Sequence, residues 1–176
     1  MSSIPGKWVE SVFRKVLVAD LTPELVSQLA AVGVELSGPS HLYYSKEVWY
    51  QAIELTAQAL FPGQSLPEQL RRLGAHLIRT LESRRLIKGP WLTMARLMGP
   101  RRALKQAMDF VERSPVPLSL EERSKTEFDI TAEETRQPEF LVGLLEATLE
   151  MLGAKSPQVT LKATSAGSSL LRASWR

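Results

Sequence analysis

The C-terminal part of the chain constrains the fold most. The segment PEFLVGLLEATLEMLGAK, residues 138–155, has apolar residues at helical spacing, and Gly153 is placed to end the helix. Two short segments of strand-forming residues, QVTLKAT and SLLRASW, follow, and SAGS between them contains the glycine of a tight turn. A helix followed directly by a β-hairpin predicts antiparallel strands covered by helices, which is an α+β arrangement.

Helical patterns fill most of the chain before this ending. Thr22, followed by proline, is typical of a helix start, and Ser45 can cap a second helix. A third helix is indicated by apolar residues that recur from Leu66 to Leu81, and a fourth begins at Pro100. With the short segment WLTMARLM and the closing helix, the chain is expected to form about five to six helices.

Strand-forming residues occur at two further places. WVESVFRKVLV, residues 8–18, is rich in β-branched and aromatic residues and predicts a strand, and LSLEERSKTEFDI, residues 118–130, predicts another. We therefore predict an α+β fold in which a small antiparallel sheet, built from the N-terminal strand and the C-terminal strands, packs against the helices. The length of 176 residues indicates a single domain spanning 1–176, and its first few residues are expected to be flexible.

The residues present exclude several kinds of chemistry. The chain has no cysteine, which excludes disulfide bonds, thiolate nucleophiles and cysteine-ligated metals. It contains neither a glycine-rich phosphate-binding motif nor a Gly-x-Ser-x-Gly nucleophile motif. The two histidines, His41 and His76, lack the spacing of a metal site. Glu146 and Glu150 share a helix face, where a solvated pair is a simpler interpretation than an acid–base pair. We predict no catalytic residue, metal or cofactor.

The sequence shows no pattern of a targeting or membrane segment. The N-terminus lacks a basic region followed by an apolar stretch, and nowhere do 18 apolar residues follow one another. We therefore expect a soluble, cytoplasmic protein without a membrane span.

Charge is unevenly distributed along the chain, although the net charge is only +3. Residues 71–105 include ten bases and one acid, whereas residues 121–150 include nine acids and three bases. The basic segment could bind an acidic protein, phosphates or nucleic acid, or could simply be a solvated helix face. Nucleic acid is the less expected partner because Trp91 is the only aromatic residue of types Phe, Trp and Tyr in the segment. The candidate partner-binding patch consists of Arg71, Arg72, Arg79, Arg84 and Arg85.

Four tryptophans lie at or near the ends of predicted elements. A tryptophan needs a large apolar niche and a partner for its indole N–H. Such residues therefore either anchor the core or line a pocket for an apolar ligand. The candidate pocket residues are Trp49, Trp91 and Trp175.

The closing helix carries more apolar surface than one sheet can cover. The surplus must be covered by another helix of the chain or by a second subunit, and Gly143 would let a backbone approach closely. Two-fold symmetry is the commonest way to close such a contact. We predict a homodimer with Phe140, Gly143 and Leu144 at its interface, with packing of Gly143 against a helix of the same chain as the alternative.

A set of motifs extends over nearly the whole chain. They are LTPELVSQLAAVGVEL, YYSKEVW at a helix start, ALFPGQSLPEQLRRLG, GPRRAL, and FLVGLLEATLEMLGA followed by two strands and a terminal Trp. Together they resemble a paralogous family of myxobacterial proteins of unknown function. The ending is also similar to that of the superfamily containing the heme nitric-oxide-binding, four-vinyl-reductase-like and transport-particle domains. The resemblance implies an α+β unit that binds a small molecule or a lipid tail, or that dimerises to carry partners.

The resemblance does not extend to heme or zinc. Heme-binding members have an axial His followed by a Tyr-x-Ser-x-Arg clamp, whereas His76 is followed by LIRTL, and zinc-binding relatives use cysteines, which are absent here. We predict a non-enzymatic regulatory or interaction module that acts through protein partners or a small apolar ligand. The alternatives are a basic, nucleic-acid-linked regulator and an enzyme of an unrecognised class.

Overall fold

The computed structural model describes residues 3–39, 41–87, 89–111, 117–165 and 167–176. Within these ranges the chain forms seven α-helices, one π-helical segment and six strands. The helices are α1 (Gly6–Glu10), α2 (Pro23–Ala31), α3 (Lys46–Leu60), α4 (Leu66–Ser83), α5 (Gly89–Met98), α6 (Pro100–Val111) and α7 (Pro138–Met151), and the π-helical segment is Ser11–Val16. The strands are β1 (Ser3–Pro5), β2 (Tyr43–Ser45), β3 (Leu118–Ser124), β4 (Glu127–Glu133), β5 (Gln158–Ser165) and β6 (Ser168–Ser174).

The main sheet has four antiparallel strands in the order β3-β4-β6-β5. Its closing hairpin, β5–β6, and the strand pair β3–β4 lie where the sequence predicts strands. Phe128, Ile130 and Ala132 alternate along β4 and are fully buried, which places this face of the sheet against the core. The α+β class is therefore confirmed.

The N-terminal segment is helical, and the prediction of a strand over 8–18 is wrong. α1 and the π-helical segment together span residues 6–16. The β-branched residues favour a strand, but Val9, Phe13 and Leu17 recur every fourth position and are all completely buried. Burial of this helical face outweighs the intrinsic β propensity. The N-terminal strand is instead the short β1, which pairs with β2 in a separate sheet and does not join the main one.

The predicted beginnings of the first two long helices are confirmed by their capping hydrogen bonds. The side-chain oxygen of Thr22 accepts from the backbone N–H of Leu25 at 3.2 Å, and that of Ser45 accepts from Val48 at 3.2 Å. Residues 1 and 2, included in the expectation of a flexible start, lie outside the described residues, and Ser3 already belongs to β1.

Helices α4 and α7 cross with their backbones in direct contact. A Cβ atom on Gly74 would lie 2.1 Å from the carbonyl oxygen of Phe140, and one on Gly143 would lie 1.8 Å from that of Arg71. Both distances are far shorter than any non-bonded contact, so each helix needs glycine at the crossing. The observed contact is thus the alternative in which Gly143 packs against a helix of its own chain.

The surplus apolar surface of α7 is covered within the chain. Phe140 and Gly143 are buried, and Leu144 is half-buried beside α4. The other face of α7 packs against β5 and β6 of the sheet. The interface that we predicted on Phe140, Gly143 and Leu144 is therefore occupied by contacts within the chain, while the homodimer itself stays a prediction.

An ionic cluster joins three strands of the main sheet. Asp129 on β4, whose side chain is 3% exposed, accepts hydrogen bonds from Arg172 on β6 at 2.8 and 3.0 Å and from Arg123 on β3 at 2.7 Å. The two hydrogen bonds from Arg172, together with the one from Arg123, lower the pKa of Asp129 to about 2, against the effect of burial.

Replacing Gly143 with alanine should reduce the free energy of unfolding by about 3 kcal/mol or more, because the added methyl group would overlap the Arg71 carbonyl. Gly153→Ala is the matched control. It adds the same methyl group in open space at a φ of +90° and should cost only about 1 kcal/mol, from backbone strain. Urea titrations compare the two variants. A Gly143→Ala protein as stable as the control would contradict the close crossing.

Asp129→Asn should lower stability at neutral pH by about 1.5–3 kcal/mol, the range for hydrogen bonds to a charged group. The pKa of Asp129 is lowered from 3.8 to about 2 on folding, so its stabilisation is complete above about pH 4 and is lost as the pH falls through about 2. The urea midpoints of unfolding of the unaltered protein and of Asp129→Asn, measured at a series of pH values, should therefore converge in acid. Glu133→Gln, an exposed carboxylate on the same strand, is the control and should change little.

Candidate functional site

An apolar cleft of about 280 Å³ lies among α1, the π-helical segment, α3, α4 and α7. No charged side chain lines it among the described residues. Its walls are formed by Trp8, Val12, Val16, Trp49, Tyr50, Leu77, Ile78, Leu81, Leu118, Thr135, Gln137, Phe140, Leu141 and Leu144. An uncharged wall of this kind favours an apolar molecule, because a charged group placed there would lose its hydration without gaining a partner.

The N-terminal wall of the cleft exists because this segment is helical. Trp8, Val12 and Val16 are spaced four residues apart and project from one face into the cleft. Trp8 remains 40% exposed. The pocket prediction missed Trp8, and the four-residue spacing of apolar residues was the signal that could have identified this wall.

The three candidate pocket tryptophans occupy different places. Trp49 lines the cleft and packs edge-on against Phe13, with ring centroids 6.4 Å apart. Trp91 packs against a small separate cluster near the end of α7. Trp175 stacks on Phe128 with ring centroids 5.7 Å apart. Trp49 therefore stays a candidate pocket residue, whereas Trp91 and Trp175 lie outside this cleft and make the packing contacts of core anchors, the other interpretation of the tryptophans.

The polar groups of the cleft wall are engaged mainly with the backbone. The Tyr50 hydroxyl donates to the backbone carbonyl of Glu134 at 2.7 Å, and burial raises the pKa of Tyr50. The Thr135 hydroxyl oxygen accepts from the backbone N–H of Gln137 at 3.3 Å. The Gln137 side-chain amide donates to the backbone carbonyl of Tyr50 at 3.0 Å. These bonds hold the chain between β4 and α7 against α3.

The candidate basic patch is largely neutralised by ion pairs within the chain. Three of its arginines have carboxylate partners, at 2.8 Å for Arg71, 3.1 Å for Arg72 and 3.1 Å for Arg79. Two of these partners are Glu146 and Glu150 on α7, which explains why both acids lie on one helix face. The partner-binding patch therefore stays a prediction, and three of its five arginines already have partners within the chain.

Two arginines of the candidate patch lie beyond these pairs. Arg84 donates to the backbone carbonyl of Lys15 at 3.4 Å, and Arg85, which is exposed, has no ion pair with any described residue. Farther along the basic segment, Arg101 and Lys105 both pair with Glu122 on β3. The basic segment 71–105 and the acidic segment 121–150 thus bind each other.

Heme does not fit the described cleft. No imidazole lines it, and the chain has only two histidines. The ring of His76 points away toward Asp20, whose carboxylate lies 3.0 Å from Nε2, and His41 packs against Tyr44 in a loop. The Tyr50 hydroxyl, another possible axial ligand, is bound to a backbone carbonyl. Among its described lining residues the cleft also has no cation for the heme propionates.

The residues that the structure describes include neither a membrane-spanning helix nor a cluster of metal-binding side chains. In these ranges no helix is both long and apolar enough to cross a bilayer. Nor do three or more His, Cys, Asp or Glu side chains meet there in a group that could hold a metal ion.

Several solved structures share this fold. One is a structure on the mechanism of H-NOX activation, with a TM-score of 0.64, 14% identity, and coverage of 98% of this chain and 97% of the other. An Fe(II) unliganded H-NOX variant from K. algicida also gives 0.64, at 14% identity, with 96% and 94% covered. An oxygen-binding H-NOX domain related to soluble guanylate cyclases, in its oxygen complex, gives 0.62 at 15% identity, with 98% and 95% covered. At such identities the likeness shows the fold, which is that of H-NOX domains.

The family of the chain is shown by its sequence. No curated protein sequence matches it. The model of a family described as "Protein of unknown function (DUF2378)" matches residues 2–176. The resemblance seen in the sequence motifs, to a family of unknown function and remotely to heme nitric-oxide-binding domains, is therefore confirmed. The chain belongs to the DUF2378 family of proteins of unknown function.

Proposed function

We propose that this protein is a non-enzymatic regulatory domain whose cleft binds a small apolar molecule. The observation that carries the proposal is the cleft of about 280 Å³, lined by apolar side chains from five helical segments and by no charged residue that the structure describes. Its volume is close to the lower end of typical ligand pockets. A catalytic pocket would need reactive groups at the wall, and the described polar wall groups are a phenol, a hydroxyl, an amide and indoles.

The shared fold supports the proposal by analogy. The similar structures include a domain that binds oxygen and others named for their heme. A fold shared with an oxygen-binding domain favours the binding of a small molecule here, although function depends on the site rather than on the fold. Because the described wall of this cleft holds no heme ligand, we propose that the fold is used here with a different occupant, one that is uncharged and mainly apolar.

A non-catalytic regulator acts through contacts, so a protein partner is part of the proposal. Ion pairing within the chain leaves Arg85, with the exposed Arg84 beside it, as the part of the basic patch best placed to meet an acidic surface. The same pairing weakens the nucleic-acid alternative, because fewer cations remain to neutralise phosphates. A homodimer would have to use a surface other than the crossing of α4 and α7.

Methyl heptyl ether, an uncharged probe without a hydrogen-bond donor, should bind the protein, and Val12→Trp should weaken its binding at least tenfold. The larger side chain would occupy the cleft where Val12 forms part of the wall. Val18→Trp, an exposed valine two residues beyond the same helical segment, is the matched control and should leave the dissociation constant unchanged. Calorimetric titration measures both. Absence of binding to the unaltered protein, or equal binding by both variants, would contradict the proposal.

The purified protein should be colourless, and added hemin should produce no Soret band typical of histidine ligation. The reason is that both histidines are held outside the cleft. Absorption spectra of the protein with and without hemin make the measurement. A Soret band that disappears in His76→Ala would show instead that α4, the helix of His76, supplies an axial ligand. It would refute the proposal that the cleft binds an apolar molecule.

A further inference from the structure

Gln137, in the cleft wall, has one side-chain atom that the fold does not use. The residue lies between β4 and α7 and is 4% exposed. Its Nε2 donates to the backbone carbonyl of Tyr50 and to Oε1 of Glu54, both at 3.0 Å. Because both partners are acceptors, they require the nitrogen on this side and set the orientation of the amide. The oxygen of the amide must therefore point elsewhere.

That oxygen, Oε1 of Gln137, is buried and accepts no hydrogen bond from any described residue. A buried amide oxygen in an apolar environment is unfavourable unless it receives a donor. Two further polar side chains of the wall are engaged, since Tyr50 donates to a backbone carbonyl and Thr135 accepts from a backbone N–H. Since Gln137 lines the cleft, the wall contains at this point a buried acceptor to which no described residue donates.

We infer that the ligand of the cleft has an apolar body and a single uncharged hydrogen-bond donor, a hydroxyl group, which donates to Oε1 of Gln137. This inference rests on the proposed function, since it names the ligand class of the same cleft. The absence of charged side chains from the described wall excludes a carboxylate or an amine as the polar group. A volume of about 280 Å³ corresponds to roughly nine water-sized groups, the size of a medium-chain aliphatic alcohol.

Two isomers, octanol and methyl heptyl ether, test the inference. They have the same number of non-hydrogen atoms and differ in that only octanol has a donor. Calorimetric titration of the unaltered protein should give a dissociation constant about tenfold lower for octanol, the effect of one additional hydrogen bond. Equal affinities would overturn the inference while leaving the proposed function in place. If neither isomer bound, the proposed function would fail as well.

Two variants assign the effect to a residue. In Gln137→Met, which keeps an unbranched side chain without the acceptor, the preference for octanol should fall to about one. Gln69→Met is the matched control, because it makes the same change at a buried glutamine that does not line the cleft, and it should retain the preference. A preference that persists in Gln137→Met would overturn the assignment to Oε1. Should that variant not fold, the comparison of the two isomers on the unaltered protein still decides, since equal affinities there overturn the inference.

Discussion

The crossing of α4 and α7 at Gly74 and Gly143 is the contact on which the rest of the structure depends. With no side chain at either position, each helix meets the backbone carbonyl of the other. This closeness lets α7 lie between α4 and the sheet, so that its apolar surface is covered on both sides. It also brings Leu77 of α4 and Leu141 of α7 into one cleft wall. A larger residue at the crossing would separate the helices and change both the core and the cleft.

The same crossing explains the uneven charge of the chain. A segment rich in arginine and a segment rich in glutamate, far apart in sequence, face each other across α4 and α7 and pair, as Arg71 does with Glu146. Exposed pairs of this kind contribute little stability each, about 0.2–1 kcal/mol, but they leave little net charge for an outside partner. Charge clustering along a sequence is therefore weak evidence for a basic binding surface when an acidic segment of similar length is present.

The cleft differs from a heme site in the side chains of its described wall. H-NOX structures share the arrangement of helices and sheet with this chain. Here the described wall holds no imidazole and no cation. His76 lies on another face of α4, where its ring is hydrogen-bonded to the carboxylate of Asp20. What remains is an apolar volume with an amide oxygen, that of Gln137, at its wall. The side chains of the wall, rather than the architecture, decide which molecule can bind.

The sequence by itself determined the local elements: the starts of α2 and α3 at Thr22 and Ser45, the closing helix and hairpin, and thereby the α+β class. These features follow from caps, turns and periodicity among neighbouring residues, which need no distant contact. Only the tertiary structure decided that residues 8–18 are helical, that Gly143 meets its own chain, and that Trp49 but not Trp175 lines the cleft. Those outcomes depend on packing between residues far apart in the chain, where burial outweighs intrinsic propensity, and no local pattern specifies which surfaces will meet.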